Sequence, residues 1–375
     1  MFGKRFKLFR LMGFEVGIDF SWIFIAILIA WSLSTGVFPF QYKDLPARTY
    51  WLMGIVGAIG LFLSIIAHEF AHSLVARNRG MPMKGITLFI FGGVAEMGDE
   101  PPSAGAEFQI AVVGPLSSMA IAVVFYGIYH IGSIGGWPPP LNGVVGYLAM
   151  INMMLAIFNL IPAFPLDGGR ILRSILWGWK KNLRWATRVA SNIGSGFGIF
   201  LIVLGVIRIL AGNFVGGLWF GLIGMFIQGA AKMSYQQLVT RKALEGEPLK
   251  RFMNSNPVTV APSTTVDELV ENYIYRHHYK FFPVVMENQL TGCVTTRQVK
   301  EIPREQWGQK KVSEIAVDCS EDNTINPEAD SVEALAAMRR NNASRLMVVK
   351  DGQLVGIVSL KDMLEFLSLK VELDM

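Results

Sequence analysis

The sequence predicts a multi-pass α-helical membrane protein, with six transmembrane helices and a re-entrant β-hairpin, that continues into an α/β domain. Two observations on composition support this fold class. Of the 375 residues, 52% are hydrophobic and only 17% are charged, which is too apolar for an ordinary soluble protein. Long uncharged runs fill the first 230 residues, whereas the remaining residues alternate charged and hydrophobic types as a water-soluble domain does.

The six membrane spans follow from the length of the apolar runs. A helix that crosses a bilayer needs about 20 predominantly apolar residues. The runs that meet this requirement are residues 20–38, 51–76, 106–131, 144–163, 190–211 and 214–231. The first run is long and no clear cleavage site follows it, so we expect an uncleaved anchor instead of a signal peptide.

Basic residues indicate how the spans are oriented. Lys4, Arg5, Lys7 and Arg10 precede the first span. Further basic residues on the same side of the membrane are Arg77, Arg79, Lys84, Arg170, Arg173, Lys180, Lys181, Arg184 and Arg188. The excess of positive charge predicts a protein of the cell membrane with a cytoplasmic N-terminus and a cytoplasmic tail. Because these charges lie beside apolar spans, they do not indicate a nucleic-acid partner.

The second span contains the stretch HEFAH, in which His68 and His72 are four residues apart. This spacing places both imidazoles on one helix face, within reach of a single ion, with Glu69 beside that face. A zinc hydrolase needs two neutral imidazoles and a carboxylate that takes a proton from a bound water molecule. Two buried histidines bonded to the backbone are the structural alternative. A membrane span disfavours it, because ionisable residues are costly there.

A catalytic zinc ion has three protein ligands and an open position, so a third ligand is expected. His130 lies at the outer end of the third span, and His277 and His278 lie in the tail, where they serve poorly. Asp167 is the better candidate. In NLIPAFPLDGGR, residues 159–170, two prolines break the fourth helix before it and two glycines free the backbone after it. A helix-capping aspartate is the alternative.

The two motifs resemble the site-2 protease family of intramembrane zinc metalloproteases, whose patterns are HExxH and an asparagine-to-LDG segment. The resemblance covers residues 1–235. It implies that the two histidines and Asp167 hold one catalytic zinc ion (Zn2+), that Glu69 is the catalytic acid/base, and that Asn159 is a polar residue near the active site. The family often has an asparagine after the Gly-Pro of its third span, where this chain has Ser118 in GPLSSM.

The stretch KGITLFIFGGVAEMGDE, residues 84–100, lies between the second and third spans. Its apolar β-forming residues on both sides of Gly92 and Gly93 are too short to cross a bilayer and predict a hairpin that dips in from the cytoplasmic side. The family resemblance implies a re-entrant hairpin beside the zinc. A free strand edge there would hold an unwound substrate segment extended. A short buried connector without a substrate role is the alternative.

The tail contains an internal repeat with a spacing of about 65 residues. Each copy reads as strand, helix, strand, turn, strand and helix, with ENQ and DGQ as the hairpin turns. The repeat resembles a tandem pair of CBS domains over residues 250–370. The predicted domains are a membrane metalloprotease domain at 1–235, a linker at 236–249, a first CBS repeat at 250–306 and a second at 307–375.

CBS pairs commonly bind adenine nucleotides, so the resemblance implies ATP, ADP or AMP as a regulatory ligand. Gly356, Ser359 and Asp362 meet the ribose-binding pattern of the family. The first repeat has Gln298 in place of the acid, so one nucleotide site is expected instead of two. A helix cap is the alternative role for Asp362. CBS pairs also often associate, which makes a homo-oligomer a further expectation.

The leading functional hypothesis is a zinc metalloendopeptidase in the lipid bilayer that hydrolyses a peptide bond within or near a transmembrane segment of a membrane-associated protein substrate. Such regulated intramembrane proteolysis would be modulated by the adenine nucleotide. The alternative is a CBS-regulated ion channel or transporter, with the buried histidines and aspartate as ion ligands. Glu69 separates the two hypotheses, because an ion-binding site needs no acid/base beside both histidines.

Overall fold

The structure is a computed structural model that describes residues 6–373, except 82, 90–91, 98–99, 288 and 342. The chain divides into two compact units after Gln236. The helices that begin in the first unit are α1 (Phe20–Ser32), α2 (Phe38–Gln41), α3 (Ala47–Asn78), α4 (Ala104–Ile134), α5 (Pro139–Asn159), α6 (Asp167–Lys180), α7 (Leu183–Leu210) and α8 (Phe214–Leu244).

Within the described residues, six helical segments are long and apolar enough to cross a membrane, which confirms the predicted number. The first is Phe20–Gln41, in which a π-helical turn joins α1 to α2. The others are α3, α4, α5, α7 and α8. Several helices are longer than the predicted spans, because their end turns carry charged residues that a hydropathy criterion leaves out. The last helix shows this most clearly, since it continues from residue 231 to Leu244.

The fourth span differs from its predicted limits of 144–163. Helix α5 begins at Pro139, where the fixed φ of proline suits the first turn of a helix. It ends at Asn159, ahead of Pro162, because the residue before a proline avoids the helical conformation. Asp167 then opens the separate helix α6, which was not predicted because its arginine and lysine residues lower its hydropathy.

Strands β1 (Phe6–Leu11), β2 (Phe14–Ile18), β3 (Met83–Phe89) and β4 (Gly92–Met97) form one sheet in the order β1-β2-β3-β4. The hairpin expected between the second and third spans is β3–β4, whose turn lies outside the described residues. Strands β1 and β2 were not predicted, because the basic residues of this segment were interpreted only as an orientation signal. Strand β2 pairs parallel with β3, so the N-terminal hairpin extends the sheet.

Helices α7 and α8 pack closely through facing glycines. A Cβ atom on Gly198 would lie 2.7 Å from the Gly224 carbonyl oxygen, and one on Gly224 would lie 2.5 Å from the Gly198 oxygen. Gly205 and Gly217 repeat the arrangement two turns away. Membrane helices commonly associate through such small residues, because their backbones can then approach closely.

The second unit contains two further sheets and short helices. Its strands are β5 (Met253–Asn254), β6 (Phe281–Met286), β7 (Gln289–Thr295), β8 (Val317–Asp318), β9 (Thr324–Ile325), β10 (Arg345–Lys350) and β11 (Gln353–Ser359). Its helices are α9 (Val266–Glu268), α10 (Tyr275–His277), α11 (Thr296–Lys300), α12 (Val312–Ile315), α13 (Ser331–Arg340) and α14 (Leu360–Leu373), and a π-helical segment, Leu269–Ile274, joins α9 to α10.

The two hairpins of this unit confirm the internal repeat. In β6–β7, Met286 pairs with Gln289, and in β10–β11, Lys350 pairs with Gln353, so that both turns have two residues. Each hairpin also shifts register at the corresponding position. The sheets have the orders β6-β7-β8 and β5-β11-β10-β9. Leu249 and Phe252, at the start of the first repeat, are buried in the core of the second.

We expect Gly198→Ile to lower the thermal midpoint of the purified protein, because the new side chain would overlap the α8 backbone. Overpacking of this kind costs about 1 to 3 kcal/mol. Gly196→Ile is the matched control on the same helix, since a Cβ atom at Gly196 meets nothing within 4 Å. Equal midpoints for the two variants, measured in the same detergent, would contradict the close packing of α7 on α8.

Candidate metal centre

Three donor atoms from two helices converge inside the first unit. His68 and His72 project from the same face of α3, and their Nε2 atoms are 3.2 Å apart. Asp167, the first residue of α6, places its Oδ2 atom 3.0 Å from His68 Nε2 and 3.1 Å from His72 Nε2. All three side chains are buried. The structure therefore brings together the residues that the two sequence motifs indicated.

Close backbone packing positions Asp167. The connection from α5 to α6 folds back over the first turn of α6. A Cβ atom at Gly168 would overlap the carbonyl groups of Leu160 and Ile161. One at Gly169 would overlap the backbone of the same connection near Phe164. The two glycines that follow the aspartate are thus required by contact with backbone atoms, which cannot move aside as a flexible side chain can.

The far nitrogen of each imidazole has a hydrogen-bond partner on α4. His72 Nδ1 lies 2.5 Å from the carbonyl oxygen of Ile110. A carbonyl only accepts, so Nδ1 carries the hydrogen and the lone pair of the neutral ring is on Nε2. His68 Nδ1 lies 2.9 Å from the Ser118 hydroxyl oxygen, which allows the same tautomer. Both Nε2 lone pairs then point at the space shared with Asp167, as metal-binding histidines require.

A glycine of α4 leaves the room for this arrangement. A Cβ atom on Gly114 would overlap His72 Nε2 and would lie 2.7 Å from His68 Nε2. Gly114 and Ser118 are one helical turn apart, so one face of α4 provides both a gap for the imidazoles and a hydrogen-bond partner for one of them. Neither contact was predicted. The family pattern, which often has an asparagine where this chain has Ser118, was the one sequence signal that could have indicated a site residue at this position.

The donor set fits a zinc ion. Two ligand atoms that are each 2.0–2.1 Å from zinc in tetrahedral geometry are about 3.3 Å apart. The separations in this site are 3.0 to 3.2 Å. Two imidazole nitrogens and one carboxylate oxygen are also a donor set that catalytic zinc sites use. Among the residues that the structure describes, His68, His72 and Asp167 form the one group of three or more such donors close enough to share a metal ion.

Glu69 lies beside the donor set and against the sheet. It is half-buried. A Cβ atom on Gly93 of β4 would lie 2.5 Å from Glu69 Cγ and 3.3 Å from Glu69 Oε1. Because residue 93 is glycine, the backbone of β4 can pack directly on this side chain. Glu69, the residue after His68 on α3, therefore has its carboxylate against the strand.

A buried ion pair fastens α6 to α4. Arg173, two turns after Asp167, donates from Nε to Glu107 Oε1 at 2.6 Å and from Nη2 to Glu100 Oε2 at 3.3 Å. Arg173 and Glu107 are both buried. Removing one partner of such a pair leaves an uncompensated buried charge, which is strongly destabilising. The pair therefore fixes the helix that delivers Asp167.

Two asparagines of α5 lie along the same part of the bundle. Asn159 is the last residue of the helix and is half-buried, and its Nδ2 donates to the Leu155 carbonyl oxygen at 3.0 Å. Asn152 is fully buried and donates to the Ser64 hydroxyl, one turn before His68 on α3, at 2.9 Å. Asn159 was predicted from its motif, whereas Asn152, which has no motif around it, was not predicted.

In the second unit, Ser359 and Asp362 line a cleft of about 480 Å³. Both repeats contribute to this cleft, with Val258 and His278 on one side and Arg345 on the other. The Ser359 hydroxyl donates to Asp362 Oδ2 at 2.7 Å, and the Asp362 backbone N–H donates to the Ser359 hydroxyl at 3.2 Å. Asp362 thus occupies the first turn of α14 and faces solvent. This geometry suits a helix-capping role for the pair and also leaves the Asp362 carboxylate accessible to a ligand.

Comparison with known proteins places both parts of the chain in families. The family described as Peptidase family M50 matches residues 56–135 and 140–205. The CBS domain family matches residues 249–305 and 312–369. Rip3 of Mycobacterium tuberculosis is 33% identical over 360 residues, which cover 94% of this chain and 90% of Rip3.

Two further matches come from Methanocaldococcus jannaschii. A zinc metalloprotease of this organism is 31% identical over 373 residues, which cover 97% of this chain and 96% of the relative. The solved structure of its site-2 protease is 31% identical, covers 61% of this chain and 94% of that chain, and has a TM-score of 0.44. Since the matches to full-length relatives run through the metal centre and the repeats alike, the chain belongs to peptidase family M50, the site-2 proteases, and carries a tandem pair of CBS domains.

Proposed function

We propose that the chain is an intramembrane zinc metalloendopeptidase that cleaves a peptide bond within or near a transmembrane segment of a membrane-associated protein. The observation that carries this proposal is the buried donor set of His68, His72 and Asp167, whose two histidines lie with Glu69 on an apolar membrane helix. Ionisable groups are costly at such a position and are typically functional.

The residues of the site have separate roles in the proposed reaction. His68, His72 and Asp167 would hold the ion, and zinc supplies Lewis acidity and acidifies a water molecule. Glu69 would take a proton from the attacking water molecule and deliver it to the leaving amine. Ser118 and the Ile110 carbonyl keep the Nε2 lone pairs of the imidazoles turned toward the space shared with Asp167.

The sheet offers a place for an extended substrate. A helical substrate hides its peptide groups in internal hydrogen bonds, so it must unwind before it is cut. Within the described part of the sheet, β4 pairs only with β3 and is an edge strand. An unwound segment that added to this edge would satisfy its backbone groups away from water. Because Gly93 of β4 packs on Glu69, such a segment would run beside the catalytic carboxylate.

An apolar cavity next to the site suits the side chains of a membrane-embedded substrate. Its volume is about 310 Å³. Phe62 and Ile65 of α3 line it, together with Phe89 of β3, Leu166 next to Asp167, and Phe226 of α8. Substrate side chains that leave the lipid could enter this cavity without contact with water, which avoids the unfavourable transfer of apolar surface into water.

We assign a regulatory role to the tail. An adenine nucleotide binds in the 480 Å³ cleft between the repeats, with its ribose hydroxyls on the Asp362 carboxylate. Arg345 and Lys361, which also line the cleft, supply positive charge for the phosphates. A nucleotide regulates cleavage only to the extent that its affinities for two arrangements of the protein differ.

The excess of basic residues beside one set of helix ends supports a cell-membrane protein whose N-terminus and tail are cytoplasmic.

Glu69→Gln should retain zinc and lose about 10² to 10⁴-fold in cleavage rate, because the ligands remain while the proton acceptor is removed. Asp167→Ala should lose both zinc and activity, because two histidines alone hold the ion poorly. The measurement is zinc stoichiometry together with cleavage of a single-span substrate in proteoliposomes. Normal cleavage by Glu69→Gln would contradict its role as the acid/base, and full zinc occupancy in Asp167→Ala would contradict its role as a ligand.

Ser118→Ala should weaken zinc binding by about 10 to 100-fold, because His68 would lose the partner that fixes its tautomer and ring orientation. Ser117→Ala is the matched control, since the Ser117 hydroxyl donates only to the Gly114 carbonyl of its own helix among the described contacts. Competition with a zinc chelator measures the affinity of each variant. Equal affinities for the two variants would show that Ser118 does not orient the ligand.

Asp362→Ala should weaken nucleotide binding by about 1 kcal/mol, or roughly fivefold, because a charged hydrogen-bond acceptor is lost at an exposed position. Glu365→Ala removes the same charge from the same helix outside the residues that line the cleft and serves as the control. Titration of ATP, ADP and AMP in a binding assay measures whether the nucleotide binds. The same titration in a cleavage assay measures whether binding changes the cleavage rate. A wild-type cleavage rate that does not change at saturating nucleotide would contradict nucleotide regulation and would indicate that the tail is a docking module.

A further inference from the structure

The N-terminal hairpin carries an unusual set of exposed apolar side chains. All six residues of β1 are exposed. Phe6 is 52% exposed, Leu8 50%, Phe9 46% and Leu11 38%, and Met12 in the turn is 63% exposed. These values are comparable to those of Phe24 and Ile27 in the first membrane span, at 64% and 66%. A water-soluble edge strand of this composition would be prone to aggregate, so something covers it.

The other strand of the hairpin is packed against the protein. In β2, Phe14, Val16 and Ile18 are buried. Phe14 makes an edge-to-face contact with Phe70 of α3, and the Arg77 guanidinium lies over the Phe14 ring and donates to the Met12 carbonyl oxygen. Strand β2 and the turn therefore fix the hairpin to the helix bundle. Strand β1 is exposed although its position is fixed.

Chain continuity sets where this strand lies relative to the lipid. Strand β2 ends at Ile18, and the first membrane span begins at Phe20. Only Asp19 separates them, and its backbone N–H donates to Leu88 of β3 at 2.8 Å. Because Phe6 pairs with Ile18, the start of β1 lies level with the end of β2 and hence with the start of the span. The start of β1 therefore lies at the depth where the first membrane span begins.

The charge of the hairpin segment complements anionic headgroups. Residues 1–18 contain four basic residues, Lys4, Arg5, Lys7 and Arg10, against one acidic residue, Glu15. The first two of these lie outside the described residues. Lys7 and Arg10 both bond to Glu15, at 2.9 and 2.5 Å, and remain largely exposed. Basic residues interleaved with aromatic and aliphatic ones are typical of segments that lie in a membrane interface.

We propose that β1 is an interfacial lipid-binding strand that inserts Phe6, Leu8 and Phe9 among the headgroups of the leaflet at the start of α1 and prefers anionic phospholipids. Pairing with a second copy or with a substrate strand would satisfy the edge of β1 that no described strand pairs, but it would leave the apolar side chains on both faces uncovered. Lipid covers both faces and the edge alike, since it surrounds the first span directly.

Photocrosslinking tests this proposal in the full chain. The photoreactive amino acid p-benzoylphenylalanine replaces one aromatic residue at a time in protein reconstituted with phosphatidylglycerol and phosphatidylcholine in equal amounts. Phe9 and, as a second probe, Phe6 test the strand. Phe24 in the first span is the positive control, and Tyr275 in the tail, which is 54% exposed, is the matched negative control. Retained zinc verifies that each labelled protein is folded.

We expect lipid adducts at Phe9 and Phe6 in yields comparable to those at Phe24 and well above those at Tyr275. We also expect phosphatidylglycerol to exceed phosphatidylcholine in the adducts of the strand, with no such excess at Phe24. Yields at both strand positions that match Tyr275, or adducts with a second protein chain in place of lipid, would overturn the proposal. Equal amounts of the two lipids in the strand adducts would overturn the preference for anionic headgroups.

Discussion

The metal centre depends on backbones that approach one another without side chains between them. The two imidazoles and the carboxylate can meet because Gly114 leaves space on α4 and because Gly168 and Gly169 let the preceding connection fold onto α6. A Cβ atom at any of these positions would overlap atoms of the site or of its support. Packed protein interiors do not tolerate such overlaps. The donor atoms can therefore meet only if the helices keep this close backbone packing.

The polar groups around the donors follow from the same constraint. Once three ionisable side chains are placed inside an apolar bundle, each remaining donor and acceptor near them needs a partner. The carbonyl of Ile110, the hydroxyl of Ser118 and the Ser64–Asn152 pair provide partners within α3, α4 and α5. Arg173 and Glu107 do so with full charges, at the end of the bundle where α6 begins.

Sequence patterns predicted the parts of the structure that depend on local periodicity. Apolar run length sufficed for the number of spans, and the i, i+4 spacing of His68 and His72 sufficed to put their rings on one face. Similarity between the two halves of the tail sufficed for the repeat. Helix α6 and strand β1 were missed because both mix charged and apolar residues, and only tertiary contacts decide what such a segment forms. Ser118 and Gly114 were missed as site residues for a related reason, since their importance lies in what faces them from another helix.

The contact between Gly93 and Glu69 has a consequence for how such an enzyme would choose a bond to cut. A substrate strand that pairs with β4 can occupy only discrete registers, and a shift of one residue exchanges the sides on which its side chains project. Peptide bonds presented to Glu69 in the same orientation are therefore two residues apart along the substrate. Backbone pairing with β4 would then limit cleavage to every second peptide bond of the substrate. The identity of the substrate side chains would matter mainly because alternate side chains must fit the apolar cavity. A substrate could tolerate many substitutions and still be cut at one of two alternating sets of bonds.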